Sequence, residues 1–269
     1  MTAVRIVPTG TPNMIAEIDG AIGWMTFNKP EKRNAVSLDM WEAMPGILRH
    51  FETDPAVRAI VLKGAGDKAF VSGADISQFE KARSTEDGNL QYDRVSDSAI
   101  EALSRCGKPV VAMIRGYCIG GGLAIAAGCD LRIATPESKF GIPAARLGVG
   151  YGAAGVKKLM GLVGPSFTKE IFFTARHFSA VEAQSMGLVN RVVAEAELLE
   201  YIRDYCAGIA DNAPLTMTAL KRTVSEVLRG HEADWALCEE LVKTCFASED
   251  YIEGRTAFME KRRPVFRGM

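Results

Sequence analysis

The sequence predicts an α/β core followed by a helical C-terminal region, and three observations carry that expectation. Two short apolar runs, Met14 to Ile18 and Ala21 to Phe27, meet across Asp19-Gly20, a strong hairpin turn signal. Further short apolar runs at Val57 to Leu62, Val110 to Ile114 and Leu131 to Ala134 read as buried strands, with helical periodicity between them. From about residue 162 the texture becomes amphipathic helix almost throughout. The expected organisation is one catalytic unit: a core over residues 1–195 and a helical region over 196–269.

Each element has its own signal. After the hairpin comes the polar loop Asn28-Lys29-Pro30-Glu31-Lys32-Arg33-Asn34. Ser37 is placed to cap a helix whose apolar positions Met40, Trp41, Met44, Ile47, Leu48 and Phe51 recur at helical spacing, with Pro45 as a possible bend. Trp24 and Trp41 read as core. Residues 81–94 are polar and weakly periodic, as expected of a mobile connection or a frayed helix entry, and form a candidate lid. Leu198 to Ile209, Leu215 to Leu228 and Trp235 to Phe246 read as C-terminal helices, broken by turns such as Asp211-Asn212-Ala213-Pro214. There is no fixed-period repeat and no low-complexity tract.

The totals narrow the function. With 269 residues and 48% apolar content the chain can bury a substantial core. Its 32 basic and 33 acidic residues leave a net charge of −1, which offers no field for nucleic acid or an anionic membrane. No segment has the length and apolarity of a membrane span or secretion signal, so a cytoplasmic protein is expected. The six cysteines form no CxxC pair and sit mostly in apolar periodic segments, as reduced core thiols would. The three histidines are far apart and show no HExxH pattern, so no metal is expected.

Two segments carry chemistry. In Gly116-Tyr117-Cys118-Ile119-Gly120-Gly121-Gly122-Leu123-Ala124, a glycine triplet joins a strand exit to the first turn of an apolar helix. Such a triplet leaves backbone N–H groups uncovered where a helix N-terminus supplies unpaired donors, or it simply permits close packing of helix on strand. In Ala69-Phe70-Val71-Ser72-Gly73-Ala74-Asp75-Ile76, a turn after a strand can present a second free N–H. Two such donors aimed at one oxygen make an oxyanion hole. Ser72 lacks the glycine two residues earlier that a nucleophile elbow requires.

Together with Asn28-to-Ala35, Phe140-Gly141-Ile142-Pro143, Met186-to-Val193 and Phe258-to-Arg262, these segments resemble the enoyl-CoA hydratase/isomerase (crotonase) superfamily, in that family's order along essentially the whole chain. The resemblance implies a crotonase-like spiral of ββα turns with a C-terminal helical trimerisation region, assembled as a homotrimer or a dimer of trimers. It implies an acyl-CoA substrate and no tightly bound cofactor, coenzyme A arriving as part of the thioester. By motif position the oxyanion donors are the backbone N–H groups of Ala74 and Gly121. Ala35, Ala74, Asp75 and Ile76 are implied contacts of the adenine end, Lys29 or Arg33 lies near the phosphates, and Phe258 and Lys261 complete the site from a neighbouring subunit. Taken singly, Lys29, Lys32 and Arg33 also read as a solvated loop, and Asp75 as a helix cap.

The chain departs from the family where hydratases carry two glutamates, having Ala124 and Ala144 there. Alanine can neither position water nor move a proton. Tyr151 is then the first candidate acid or base, with a structural role covering the acyl pocket as its rival; Tyr117 is weaker, and Arg146 reads as a structural ion-pair former. The function expected is enolate stabilisation on a CoA thioester with the reaction subtype open. The alternative is an acyl-CoA-binding homologue without turnover. Gly150-Tyr151-Gly152-Ala153-Ala154-Gly155 formally matches GxGxxG, but no strand precedes it and helical texture follows, against a dinucleotide site.

Overall fold

A computed structural model describes residues 3–75 and 86–269. Its two sheets are built in alternation. After a three-stranded antiparallel start, β1 (Arg5–Val7), β2 (Met14–Asp19) and β3 (Ile22–Phe27), comes α1 (Leu38–Thr53). Then β4 (Ala59–Gly64) and β5 (Ala69–Val71) precede α2 (Glu86–Arg105), β6 (Val110–Ile114) and β7 (Tyr117–Ile119) precede α3 (Gly121–Gly128), and β8 (Leu131–Ala134) and β9 (Lys139–Gly141) precede α4 (Ala144–Leu147) and α5 (Ala153–Thr174). The first strand of each pair joins a seven-stranded sheet, order β1-β2-β3-β4-β6-β8-β11; the second joins a four-stranded sheet, order β10-β9-β7-β5. Three ββα turns therefore wind as a spiral, closed by β10 (Phe178–Ser179), α6 (Ala180–Ser185) and β11 (Arg191–Val192). The expected hairpin is present, Asp19 pairing with Ile22.

The large sheet is buried on both faces, so its strands alternate between two cores. Ile60, Leu62, Val110, Ala112 and Ile114 face the main core between the sheets and α1 to α5. Ala59, Val61, Val111 and Met113 face the other way with Ile22 and Trp24. That second face is covered by α7 (Leu198–Ala210), whose Leu198, Ile202 and Cys206 recur four residues apart. Full burial of each aliphatic side chain stabilises by about 1.5–3 kcal/mol. Pro45 lies within α1 without interrupting it, Ser37 stands at its N-cap in extended conformation, and both Trp24 and Trp41 are buried. The remaining helices are α8 (Pro214–Arg229), α9 (Trp235–Ala247) and α10 (Glu249–Glu260), after which the last residues fold back so that Asp250 accepts from the Arg267 and Gly268 N–H groups.

As expected from the lack of strand texture before Tyr151, Ala144–Leu147 makes one helical turn; residues 149–152 are a non-helical link, and the following helix begins at Ala153, inside the GxGxxG match. Ile76 and residues 81–85 of the polar stretch 81–94 lie outside the described residues, whereas the rest of that stretch is the first half of α2. No helix among the described residues is long and apolar enough to cross a membrane.

Candidate active site

Three loops meet at the N-terminus of α3. β7 ends at Ile119, and Gly120 turns the chain with φ 54° and ψ −116°, a conformation closed to residues with a Cβ. Its N–H donates to the Gly141 carbonyl at 2.8 Å and its carbonyl accepts from Ala124 N–H at 3.0 Å. Gly122 lies so close to β5 that a Cβ on it would be 2.1 Å from the Val71 carbonyl oxygen. Gly121, the first residue of α3, has no intrahelical acceptor for its N–H.

The second loop leaves β5 and is stitched to the loop before α1. Val36 N–H donates to Gly73 O at 2.8 Å and Asp75 N–H to Val36 O at 3.0 Å, a parallel bridge that leaves the intervening Ala74 N–H directed elsewhere. A Cβ built on Gly121 would be 4.0 Å from Ala74 N, 3.4 Å from Val36 Cγ1 and 3.5 Å from Trp41 Cζ2. The fold thus brings together the two N–H groups singled out in the sequence, and neither donates to an acceptor among the described residues. Aligned N–H groups at a helix N-terminus favour a developing negative charge.

The loop from Asn28 to Val36 is held by Asn34. Its fully buried amide donates to Ala65 O at 2.9 Å and Ala69 O at 2.8 Å, and its Oδ1 accepts from Lys29 N–H at 3.0 Å. Arg33 and Asn34 both adopt left-handed backbone, and Ala35 is buried. Lys29 Nζ lies 2.7 Å and Lys32 Nζ 3.2 Å from the Asp75 carboxylate, whose side chain is only 4% exposed. Asp75 is therefore engaged by two lysines of this loop, and Lys29 is tied down rather than solvated; the segment Asp75 was expected to cap lies outside the described residues. Breaking a buried ion pair typically costs 3–5 kcal/mol. Asp75→Asn is expected to lower stability by about 3 kcal/mol, shifting the urea midpoint at unchanged slope. Arg33 stands 5.2 Å over the Tyr117 ring, which meets the His177 ring edge-on at 6.0 Å. Tyr117 thus belongs to a partly exposed cluster on the small sheet.

Tyr151, in the link between α4 and α5, packs edge-on against Phe172 with ring centroids 4.8 Å apart. Its Cε1 would be 2.7 Å from a Cβ on Gly155, so the ring occupies space that glycine leaves open. Burial, followed by the charge of Asp97 on α2, pushes its phenol up to about 12. The phenol is protonated through the neutral range. Relative to an unfolded value near ~10, its stabilising contribution is complete below that pH and is lost as pH rises through about 12. Ala124 is half-buried on α3 and Ala144 is nearly buried at the start of α4. Arg146 is exposed and makes no ion pair among the described residues, contrary to the expectation for it. Phe258 is 82% exposed in the last turn of α10, and Lys261 caps that helix in left-handed backbone; neither hydrogen-bonds to the Ala74–Gly121 region. One polar group missed by sequence reasoning is Tyr92 on α2, whose hydroxyl accepts at 2.9 Å from the Nε1–H of Trp41, the residue whose ring edge faces Gly121. Among the described residues no group of three or more His, Cys, Asp or Glu is placed to hold a metal.

Comparison with known proteins agrees with this architecture. The family model for enoyl-CoA hydratase/isomerase matches residues 17–269. The short-chain-enoyl-CoA hydratase of Clostridium acetobutylicum is 35% identical over 93% of this chain and 96% of its own. The carnitinyl-CoA dehydratase of Escherichia coli is 33% identical over 93% and 96%. The crystal structure of an enoyl-CoA hydratase/carnithine racemase from Magnetospirillum magneticum superposes with a TM-score of 0.92 at 32% identity, covering 96% of this chain and 97% of that one. The chain belongs to the enoyl-CoA hydratase/isomerase family, the crotonase superfamily.

Proposed function

We propose that the protein binds an acyl-CoA thioester with its carbonyl oxygen between the N–H groups of Ala74 and Gly121 and stabilises the enolate formed from it, with a proton-moving apparatus unlike that of a two-glutamate hydratase. The observation that carries this reading is the proximity of two unengaged N–H groups, one at the N-terminus of α3. Removing one oxyanion donor typically costs about 10²–10³ in rate, so the pair accounts for a sizeable part of an enolising catalyst. Ala124 and Ala144 stand where hydratases of the family carry glutamates, and neither can transfer a proton.

Tyr151 is the group we assign to that transfer. With its phenol held up at about 12, it acts as an acid toward an enolate carbon and not as a base. The pH–rate profile is expected to show no ionisation of this residue between about pH 7 and 10, and Tyr151→Phe to lower kcat by about 10²-fold. A basic limb in that window that disappears in Tyr151→Phe would assign it the opposite role. The loop of Lys29, Arg33, Ala35 and Asp75 supports placing the adenosine diphosphate end beside it, and no other cofactor is invoked.

Residues 196–269 are assigned to oligomerisation as a homotrimer or a dimer of trimers. The support is apolar exposure on the C-terminal helices, including Leu220, Trp235, Phe246, Ile252, Phe258 and Met259. Phe258 and Lys261 then reach a neighbouring subunit's CoA. The test is a panel of enoyl-, malonyl-, 3-oxo- and cyclic acyl-CoA thioesters followed by mass spectrometry. Tight binding of these without turnover of any favours the second reading, a non-catalytic acyl-CoA-binding homologue, for which the two alanines are the supporting observation.

A further inference from the structure

The Ala74 and Gly121 N–H groups come from different elements, and strand pairing alone does not fix their separation. β5 and β7 pair in parallel, but their register shifts between Ala69 and Val71, and the pairing ends at Val71, before the Ala74 turn. Beyond it the two loops approach as glycine backbone. A Cβ on Gly120 would be 3.7 Å from Gly73 Cα, and one on Gly73 would be 3.7 Å from Ile119 O. Glycines have no side chains to interlock, so the fit between these loops must be set from outside them.

Residues 33–36 supply that constraint. They run beside the Ala74 turn and are bonded to it three times: Ser72 N–H donates to Arg33 O at 3.2 Å, Val36 N–H to Gly73 O at 2.8 Å and Asp75 N–H to Val36 O at 3.0 Å. The buried Asn34 amide ties the same segment to Ala65 O and Ala69 O, at the entry to β5. Val36 then reaches both donors. Its peptide groups grip the turn on either side of Ala74, and its Cγ1 is 3.4 Å from the point a Gly121 Cβ would occupy. Val36 is fully buried, so its side chain has no room to swing away. Trp41 Cζ2 approaches the same point at 3.5 Å, but from α1 and not from the residue that carries the turn.

We propose that Val36 is a positioning residue for the oxyanion pair: its peptide groups carry Ala74, and the bulk of its side chain sets how far Gly121 stands from it. The inference rests on the thioester reading above. An enolate oxygen carries more charge than a thioester carbonyl and depends more on the placement of the donors, so a change of bulk at position 36 weakens the enolate and leaves the affinity of the keto form nearly alone.

The probe is acetoacetyl-CoA, which ionises to an enolate with its own ultraviolet absorption and needs no turnover. Its enolisation midpoint is read by absorbance against pH on the full chain, and the affinity of its keto form by calorimetry below that midpoint. Bound to the parent, it is expected to enolise at least about one pH unit below the free thioester, a tenfold gain of enolate over keto form. Val36→Ala, which removes the wedge, and Val36→Ile, which enlarges it, are each expected to give back most of that shift, with keto-form affinity within about threefold of the parent. Val57→Ala makes the same truncation at a fully buried valine of the main core outside the site loops, and is expected to keep the parental midpoint. A parental midpoint in the folded Val36 variants, or an equal displacement in Val57→Ala, overturns the positioning role. A parent that binds acetoacetyl-CoA without moving its midpoint overturns the oxyanion reading, and a parent that does not bind it overturns the thioester reading itself.

Discussion

Measured beside the Clostridium acetobutylicum relative, this protein is expected to hydrate crotonyl-CoA at least 10²-fold more slowly in kcat/KM, since positioned acid–base groups typically contribute about 10²–10⁴. The reason is local. Ala124 lies one turn into α3, its N–H bonded to Gly120 O, and Ala144 opens α4 immediately after Pro143. Both backbones are ordinary helix, so a glutamate there needs no backbone rearrangement. Only Ala144, at 9% exposure, has little room. Introducing Ala124→Glu and Ala144→Glu together is expected to recover at least tenfold of the hydration rate while thioester affinity stays within a few-fold, because the donors are untouched. A parent already as fast as the relative would mean that another pair of groups activates the water. The proposed division between retained oxyanion stabilisation and altered proton transfer would then be wrong.

What sequence made legible follows the range of the forces involved. The Asp19-Gly20 hairpin, the helices at 198, 215 and 235, and the glycine triplet are local signals, and each lies within a residue or two of where it was expected. Ala74 and Gly121 were found as separate loops; their approach depends on β5 and β7 pairing in parallel, which no local pattern encodes. Contacts between elements were the least visible. Asp75 read as a cap because aspartate commonly caps, yet its carboxylate is taken by Lys29 and Lys32, more than forty positions upstream. Trp41 read correctly as core, but the acceptor for its N–H sits on another helix, so Tyr92 gave no signal. Likewise, the periodicity of α7 showed that one face is apolar without showing that the large sheet covers it, which ties the start of the 196–269 region to the core.

Gly121 and Gly122 are neighbours in the same helical turn, and alanine at each is expected to fail differently. At Gly122 the added Cβ would be 2.1 Å from Val71 O and 2.9 Å from Val71 C, backbone atoms of β5 that cannot move without breaking its pairing with β7. Overpacking commonly costs 1–3 kcal/mol where side chains can yield; here backbone must, and Gly122→Ala is expected to cost more than about 3 kcal/mol, read as a large fall in the denaturation midpoint. At Gly121 the same methyl group meets Val36 and Trp41 side chains at 3.4 and 3.5 Å, ordinary contact or nearly so, and alanine is favoured over glycine in a helix. Gly121→Ala is therefore expected to stay within about 1 kcal/mol of the parent in stability. Its methyl group, however, stands 4.0 Å from Ala74 N, beside the second proposed donor, where it would crowd an oxyanion held between the two under the proposed reading. Loss of a properly seated oxyanion is worth about 10²–10³ in kcat, so this variant should be folded and nearly inactive on any substrate the panel identifies. A Gly121→Ala protein with parental stability and parental turnover would count against the oxyanion assignment, since a methyl group this close to Ala74 N should disturb a carbonyl oxygen seated there.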